Sequence, residues 1–119
     1  MSAQKLRPRL ADMLLAMDRI DLVIRGLERD AFVASFEKQW LVESGVEIVY
    51  EEARHIPQDL LMLHPQIQWS DIKAIGNRLR HDYGRIDPHI MWTIATIHLP
   101  DLKPVINQML STLDAGPAS

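Results

Sequence analysis

Apolar residues step along this chain by threes and fours, the spacing that gathers side chains on one stripe of a helix with about 3.6 residues per turn. Leu10, Met13, Met17, Ile20, Ile24 and Leu27 form the first stripe, opened by Pro8 and closed near Gly26 and Asp30. Proline suits a first helical turn because the donor it lacks has no partner there. A stripe of this kind belongs to a helix in a bundle, with the methionines filling the core. The pattern next predicts one long helix from about Phe32 to His55, whose apolar residues spread over more than one face. Such a helix needs two neighbours, one of which can be a second copy of the chain. Pro57 ends it, and Gln58 to His64 make a short third helix. A fourth runs from an N-cap at Ser70 to Gly84, a residue suited to a left-handed terminator. Asp87-Pro88 pairs an N-cap with a first-turn proline for a fifth helix carrying Ile90, Met91, Ile94 and Ile97. Pro100 interrupts it, and Leu102, Val105, Ile106, Met109, Leu110 and Leu113 form a last amphipathic segment. With no repeat and no convincing strand, the expectation is an all-α, antiparallel up-and-down bundle of about five to six helices. It forms one domain over residues 1–119, with 1–7 and 114–119 frayed.

Composition narrows the classes of function. A chain of 119 residues, 47% apolar and 24% charged, can bury a core without staples. It has no cysteine, which excludes disulfides and thiolate metal sites. No apolar run is long enough for a membrane span and the N-terminus lacks a signal-peptide pattern, so a cytoplasmic location is expected. The net charge of −3 argues against a surface coated for nucleic acid, although it leaves room for a local basic site.

Such a site occurs in Ala74-Ile75-Gly76-Asn77-Arg78-Leu79-Arg80-His81-Asp82-Tyr83-Gly84. On a helical wheel Ala74, Asn77 and Arg78 fall within roughly 60° of His81, while Ile72, Ile75, Leu79 and Tyr83 lie on the far side. Histidine exchanges protons near neutral pH, and an arginine one turn away can hold a phosphate through two hydrogen bonds. Asn77 can orient the imidazole or bind a phosphate oxygen. These groups suit metal-free RNA cleavage, in which a base draws the proton from a 2′-hydroxyl that attacks the adjacent phosphorus. Lys73, Arg78, Arg80 and Arg85 make this the most basic segment of an acidic chain. The plainer readings are a solvated face, or an interface between the basic segment and the stripe Glu43, Glu47, Glu51. Glu52 and His55 form one Glu-x-x-His pair. Carboxylate-bridged metal bundles need two such pairs, so a solvated or partner-facing acidic stripe is preferred to a metal site. His55 and His64 are assigned no chemistry.

The runs Ile67-Gln68-Trp69-Ser70-Asp71-Ile72, Asn77-Arg78-Leu79-Arg80-His81-Asp82-Tyr83 and Arg85-Ile86-Asp87 resemble the HepT-like (DUF86) branch of the HEPN superfamily. Glu47-Ile48-Val49-Tyr50-Glu51-Glu52-Ala53-Arg54-His55-Ile56-Pro57 resembles its second-helix signature, with Tyr50 at a usual glycine. Trp92 and Leu99-Pro100-Asp101-Leu102 match its C-terminal pattern, so the resemblance covers about Phe36 to Leu110. It implies an all-α bundle that forms a homodimer with the motif helices lining a shared cleft. It also implies a toxin that cleaves RNA, neutralised by a minimal nucleotidyltransferase that transfers AMP to the tyrosine two residues after the motif histidine. On that resemblance His81 is catalytic and Tyr83 the AMP acceptor, with no cofactor.

The family's nuclease motif sets an arginine, then four to six residues, then the histidine. Here those positions hold Ala74, Ile75 and Gly76. Two expectations follow. In the first, Arg78, closer to the His81 face than Arg80, supplies the cation with Asn77, while Arg80, Lys73 and Arg85 bind RNA phosphates. In the second, the nuclease is weakened, leaving a module that binds a nucleotidyltransferase, nucleotide or RNA without cleavage.

Overall fold

The computed structural model describes residues 2–81 and 86–115, and its regular elements are helical. They are α1 (Ala3–Ile24), α2 (Arg29–Val33), α3 (Phe36–Ala53), α4 (Gln58–Leu61), α5 (Trp69–His81), α6 (Pro88–Thr93), a π turn (Ile94–His98) and α7 (Leu99–Asp114). The expected all-α bundle is what the chain forms.

α1 is the central member, packed between α3 and α7. Arg9 pairs with Glu52 at 3.0 Å and Ile20 faces Gly45, so α1 and α3 run antiparallel. Lys103 meets Asp18 at 2.9 Å and Arg7 meets Asp114 at 2.8 Å, which sets α7 antiparallel to α1 as well. Leu6, Leu10, Met13, Met17 and Ile20 of α1 are buried against Val42, Val46 and Val49 of α3 and Leu102, Ile106 and Met109 of α7. Each such side chain contributes about 1.5–3 kcal/mol on leaving water. α5 packs against α3 as well.

Several helix boundaries differ from the sequence expectation: α4 ends at Leu61, and α5 starts at Trp69, which puts Ser70 inside the helix rather than at its N-cap. α1 begins at Ala3 rather than at Pro8, because the Ser2 side chain caps it by accepting from the Lys5 amide. Pro8 then sits on an exposed turn inside the helix. The long second helix is two helices. Ser35 breaks it by capping α3, its hydroxyl accepting from the Lys38 amide at 3.1 Å. The buried Gln39 amide donates to the Phe32 and Val33 carbonyls at 3.1 and 2.7 Å, satisfying the end of α2. Phe32, fully buried, packs on Trp92 with ring centroids 5.3 Å apart and so ties α2 to α6.

Pro100 does not stop the fifth helix. The turn before it widens, with the Leu99 amide donating to the Ile94 carbonyl, and α7 restarts with Pro100 in its first turn. There a missing donor costs nothing. Other expectations match: Gly26, at φ 79°, follows the end of α1, and Asp87 caps α6 through the His89 amide at 2.7 Å. The indole of Trp69 donates to the Leu61 and His64 carbonyls at 3.1 and 3.0 Å, fixing the approach to α5. Gly84, Tyr83 and Arg85 lie outside the described residues. No described helix is long and apolar enough to cross a membrane.

Candidate active site

α5 is amphipathic in the way the wheel predicts. Ile72, Ile75 and Leu79 are half-buried against the core, while Ala74, Asn77, Arg78 and His81 are exposed. Gly76 is the buried residue of this helix and packs on Tyr50 of α3. A β-carbon there would lie 3.1 Å from the Tyr50 Cβ, a stem atom with little freedom to move. The position that would hold the motif arginine is thus the point where α5 closes on α3.

The last turn of α5 holds a compact polar network. The Arg80 guanidinium reaches across to α3, where Nη1 pairs with Glu51 Oε2. Its Nη2 donates to Asn77 Oδ1 at 3.2 Å, and its Nε donates to His81 Nε2 at 3.0 Å. A single planar cation thereby holds the carboxylate, the amide and the imidazole in one fork-like arrangement. A neutral imidazole accepting at Nε2 carries its own proton on Nδ1. Glu51 also accepts from Arg54 Nη2 at 2.7 Å and lies 3.7 Å from His55 Nε2. The hydrogen bond from Arg54, with the charges of Arg54 and Arg80, holds the Glu51 carboxyl below its ordinary range. Two guanidiniums around one carboxylate leave a net positive charge beside His81, suited to a phosphodiester.

The sequence-selected residues divide accordingly. Asn77 and His81 share a network with Arg80. Arg78 remains exposed on the same helix. Lys73 lines a groove between α3 and α5 of about 510 Å³, together with Arg54 and Ser70. Tyr83 and Arg85 fall outside the described residues. Glu51 is the member the sequence did not single out by itself; the signal was the four-residue spacing of Glu43, Glu47 and Glu51. His55 adjoins Glu51 rather than its Glu-x-x-His partner, and Glu52 turns to α1 to pair with Arg9. His64, assigned no chemistry, is buried. Among the described residues no group of three or more His, Cys, Asp or Glu is placed to hold a metal ion.

The family model described as ribonuclease HepT-like matches residues 13–109, which include the α5 network and the helices that position it. The chain belongs to the HepT-like ribonuclease family. A relative from Thermococcus cleftensis, named "Probable ribonuclease HepT", is 29% identical over 94 residues, covering 79% of this chain and 86% of its own length. A Methanocaldococcus jannaschii protein named as a "Putative RNase" is 26% identical over 106 residues, with 88% of each chain covered. A protein of the same name from Caldanaerobacter subterraneus is 21% identical over 104 residues, covering 87% and 93%. The family matches the resemblance carried by the α5 motif and the second-helix signature, and a HepT-like domain made of helices alone is what the fold displays.

Proposed function

We propose that this protein is a HepT-like toxin that cleaves RNA without a metal, with His81 exchanging protons and Arg80 stabilising charge on the phosphate. The observation that carries this reading is the Arg80 guanidinium joined to His81, Asn77 and Glu51 in a chain of a ribonuclease family. In the reaction Arg80 turns from His81 to the phosphate, and the freed Nε2 takes the proton of a 2′-hydroxyl, whose oxygen bonds to the adjacent phosphorus. The 5′-oxygen leaves with a proton, giving a cyclic phosphate and a free 5′-hydroxyl. Asn77 and Arg80 bind the non-bridging oxygens as charge grows on them. Arg78, Lys73 and Arg85 hold flanking phosphates.

The active form is a homodimer with the α5 helices lining a common cleft. The exposed, edge-packed pair Phe36 and Trp40 on α3 supports a covering surface there, Trp40 being 62% exposed. A minimal nucleotidyltransferase neutralises the protein by transferring AMP to Tyr83. The test incubates purified protein with RNA in the presence of a chelator. Wild type yields cyclic-phosphate ends and His81→Ala yields none. Co-expression with a short nucleotidyltransferase then adds one AMP to the intact mass, and Tyr83→Phe removes the gain.

Gly76 favours a second reading, a non-cleaving module that binds the transferase partner. Equal inertness of wild type and His81→Ala on RNA, with the partner still co-purifying, selects it.

A further inference from the structure

On the side of α5 away from Arg80 lies a cleft of about 490 Å³ between α5, α2 and the α6–π-turn segment. That volume falls within the range of small-molecule sites. Its walls are aliphatic, from Ile72 and Ile75 of α5 and Ile90 and Ile94 opposite. The rim is polar and carries Asp71, Asp101, His89, His98 and Arg29. The π turn contributes both Ile94 and His98, and widened turns of this kind recur at functional sites. Among the described residues neither Asp71 nor Asp101 is engaged by an ion pair or side-chain hydrogen bond, so both keep acceptor capacity. Tyr50 also lines the cleft, and burial with the nearby Asp71 raises its phenol, which therefore keeps its proton.

We propose that this cleft takes a nucleobase bearing an exocyclic amine, adenine or cytosine, from the RNA strand bound at the α5 network. The inference rests on the ribonuclease reading of the α5 network and adds a base-selecting subsite to it. Aliphatic walls suit the two faces of a flat ring, and a rim carboxylate accepts from an amine, as acidic side chains do with the cytosine amino group. Uracil presents a carbonyl at that edge, which a carboxylate repels. Position supports the same occupant. Ala74, on the cleft wall, precedes Asn77 by about 5 Å and His81 by about 10 Å along the helix axis. A base in the cleft, round the helix from Arg80, therefore lies within a few nucleotides of a phosphate held at Arg80 and His81. Arg29 on the far rim offers a cation to the next phosphate.

The experiment uses the full chain and trinucleotides of adenine, cytosine or uracil with 2′-O-methyl groups, which bind but cannot be cleaved. Binding is followed by NMR. The adenine or cytosine oligomer is expected to bind about tenfold more tightly than uracil and to shift the signals of Ala74, Ile75 and Thr93. Ala74→Trp, which fills the cleft from an exposed position, should remove that preference while the melting temperature stays near wild type. Asp71→Asn and Asp101→Asn, which change no packing, should level the three oligomers. Equal binding of all three by wild type, or shifts that bypass the cleft, would overturn the proposal even if RNA is cleaved in a His81-dependent way. An amine-dependent preference in a protein inert on RNA would instead sink the nuclease reading and leave the subsite standing.

Discussion

The role proposed for Arg80 rests on where its guanidinium is anchored. A wheel drawn for an isolated helix sets Arg78 nearer to His81 and says nothing about the carboxylate on the neighbouring helix. Glu51 draws Arg80 across the α3–α5 seam, and from there Nε and Nη2 reach back to His81 and Asn77. Arg80→Ala is therefore expected to slow RNA cleavage by about 100- to 1000-fold, the usual loss for a preorganised charge-stabilising donor. Arg78→Ala should cost far less and act mainly on substrate binding. Comparing kcat and KM for the two variants checks this. Glu51→Gln removes the anchor and leaves the cation, so a loss of about tenfold is expected, smaller than that of Arg80→Ala. The pairing also sets a pH dependence. A carboxyl whose folded pKa is lowered contributes stability that is present above its ordinary 4.5 and lost as pH falls through the lowered value. Side chains 27% and 31% exposed limit the gain to about 1 kcal/mol. Melting curves of wild type and Glu51→Gln should differ above pH 4.5 and converge in stronger acid.

At the scale of elements, two glycines decide how closely α3 is approached. A β-carbon at Gly45 would come within 2.6 Å of Ile20 Cγ1 on α1, and one at Gly76 within 3.1 Å of Tyr50 Cβ. On α5 the position of the usual arginine is spent on helix contact, and the proposed cation lies one turn later at Arg80. Gly76→Arg is accordingly expected to destabilise the protein by about 1–3 kcal/mol through overpacking. Despite matching the family motif, it should not raise the cleavage rate. Urea unfolding together with the RNA assay checks both parts. The stripe of α1 and the Asp87 cap of α6 were legible from spacing alone, because each depends on neighbours within one or two turns. The break between α2 and α3 was not. Phe32, Gln39 and Trp92 are scattered in sequence, and their packing together is what places it.

For the whole molecule, stability rests on the layer α3–α1–α7, since burial along α1 joins the two ends of the chain. Ile106 is fully buried there, so Ile106→Ala should cost about 2–5 kcal/mol, read as a lower denaturation midpoint with the helical signal retained below it. The sequence by itself determined the helical class, most of the core positions and the family, along with His81 and Asn77 as neighbours on the exposed face of α5. All of these follow from periodicity and from residues close together in the chain. The tertiary structure alone decided that Arg80, anchored on Glu51, reaches His81, that Gly76 meets Tyr50, and that a cleft opens beside the motif with Asp71 and Asp101 on its rim. Each of those depends on the distance between helices far apart in sequence, which interhelical packing sets and a single helix cannot express.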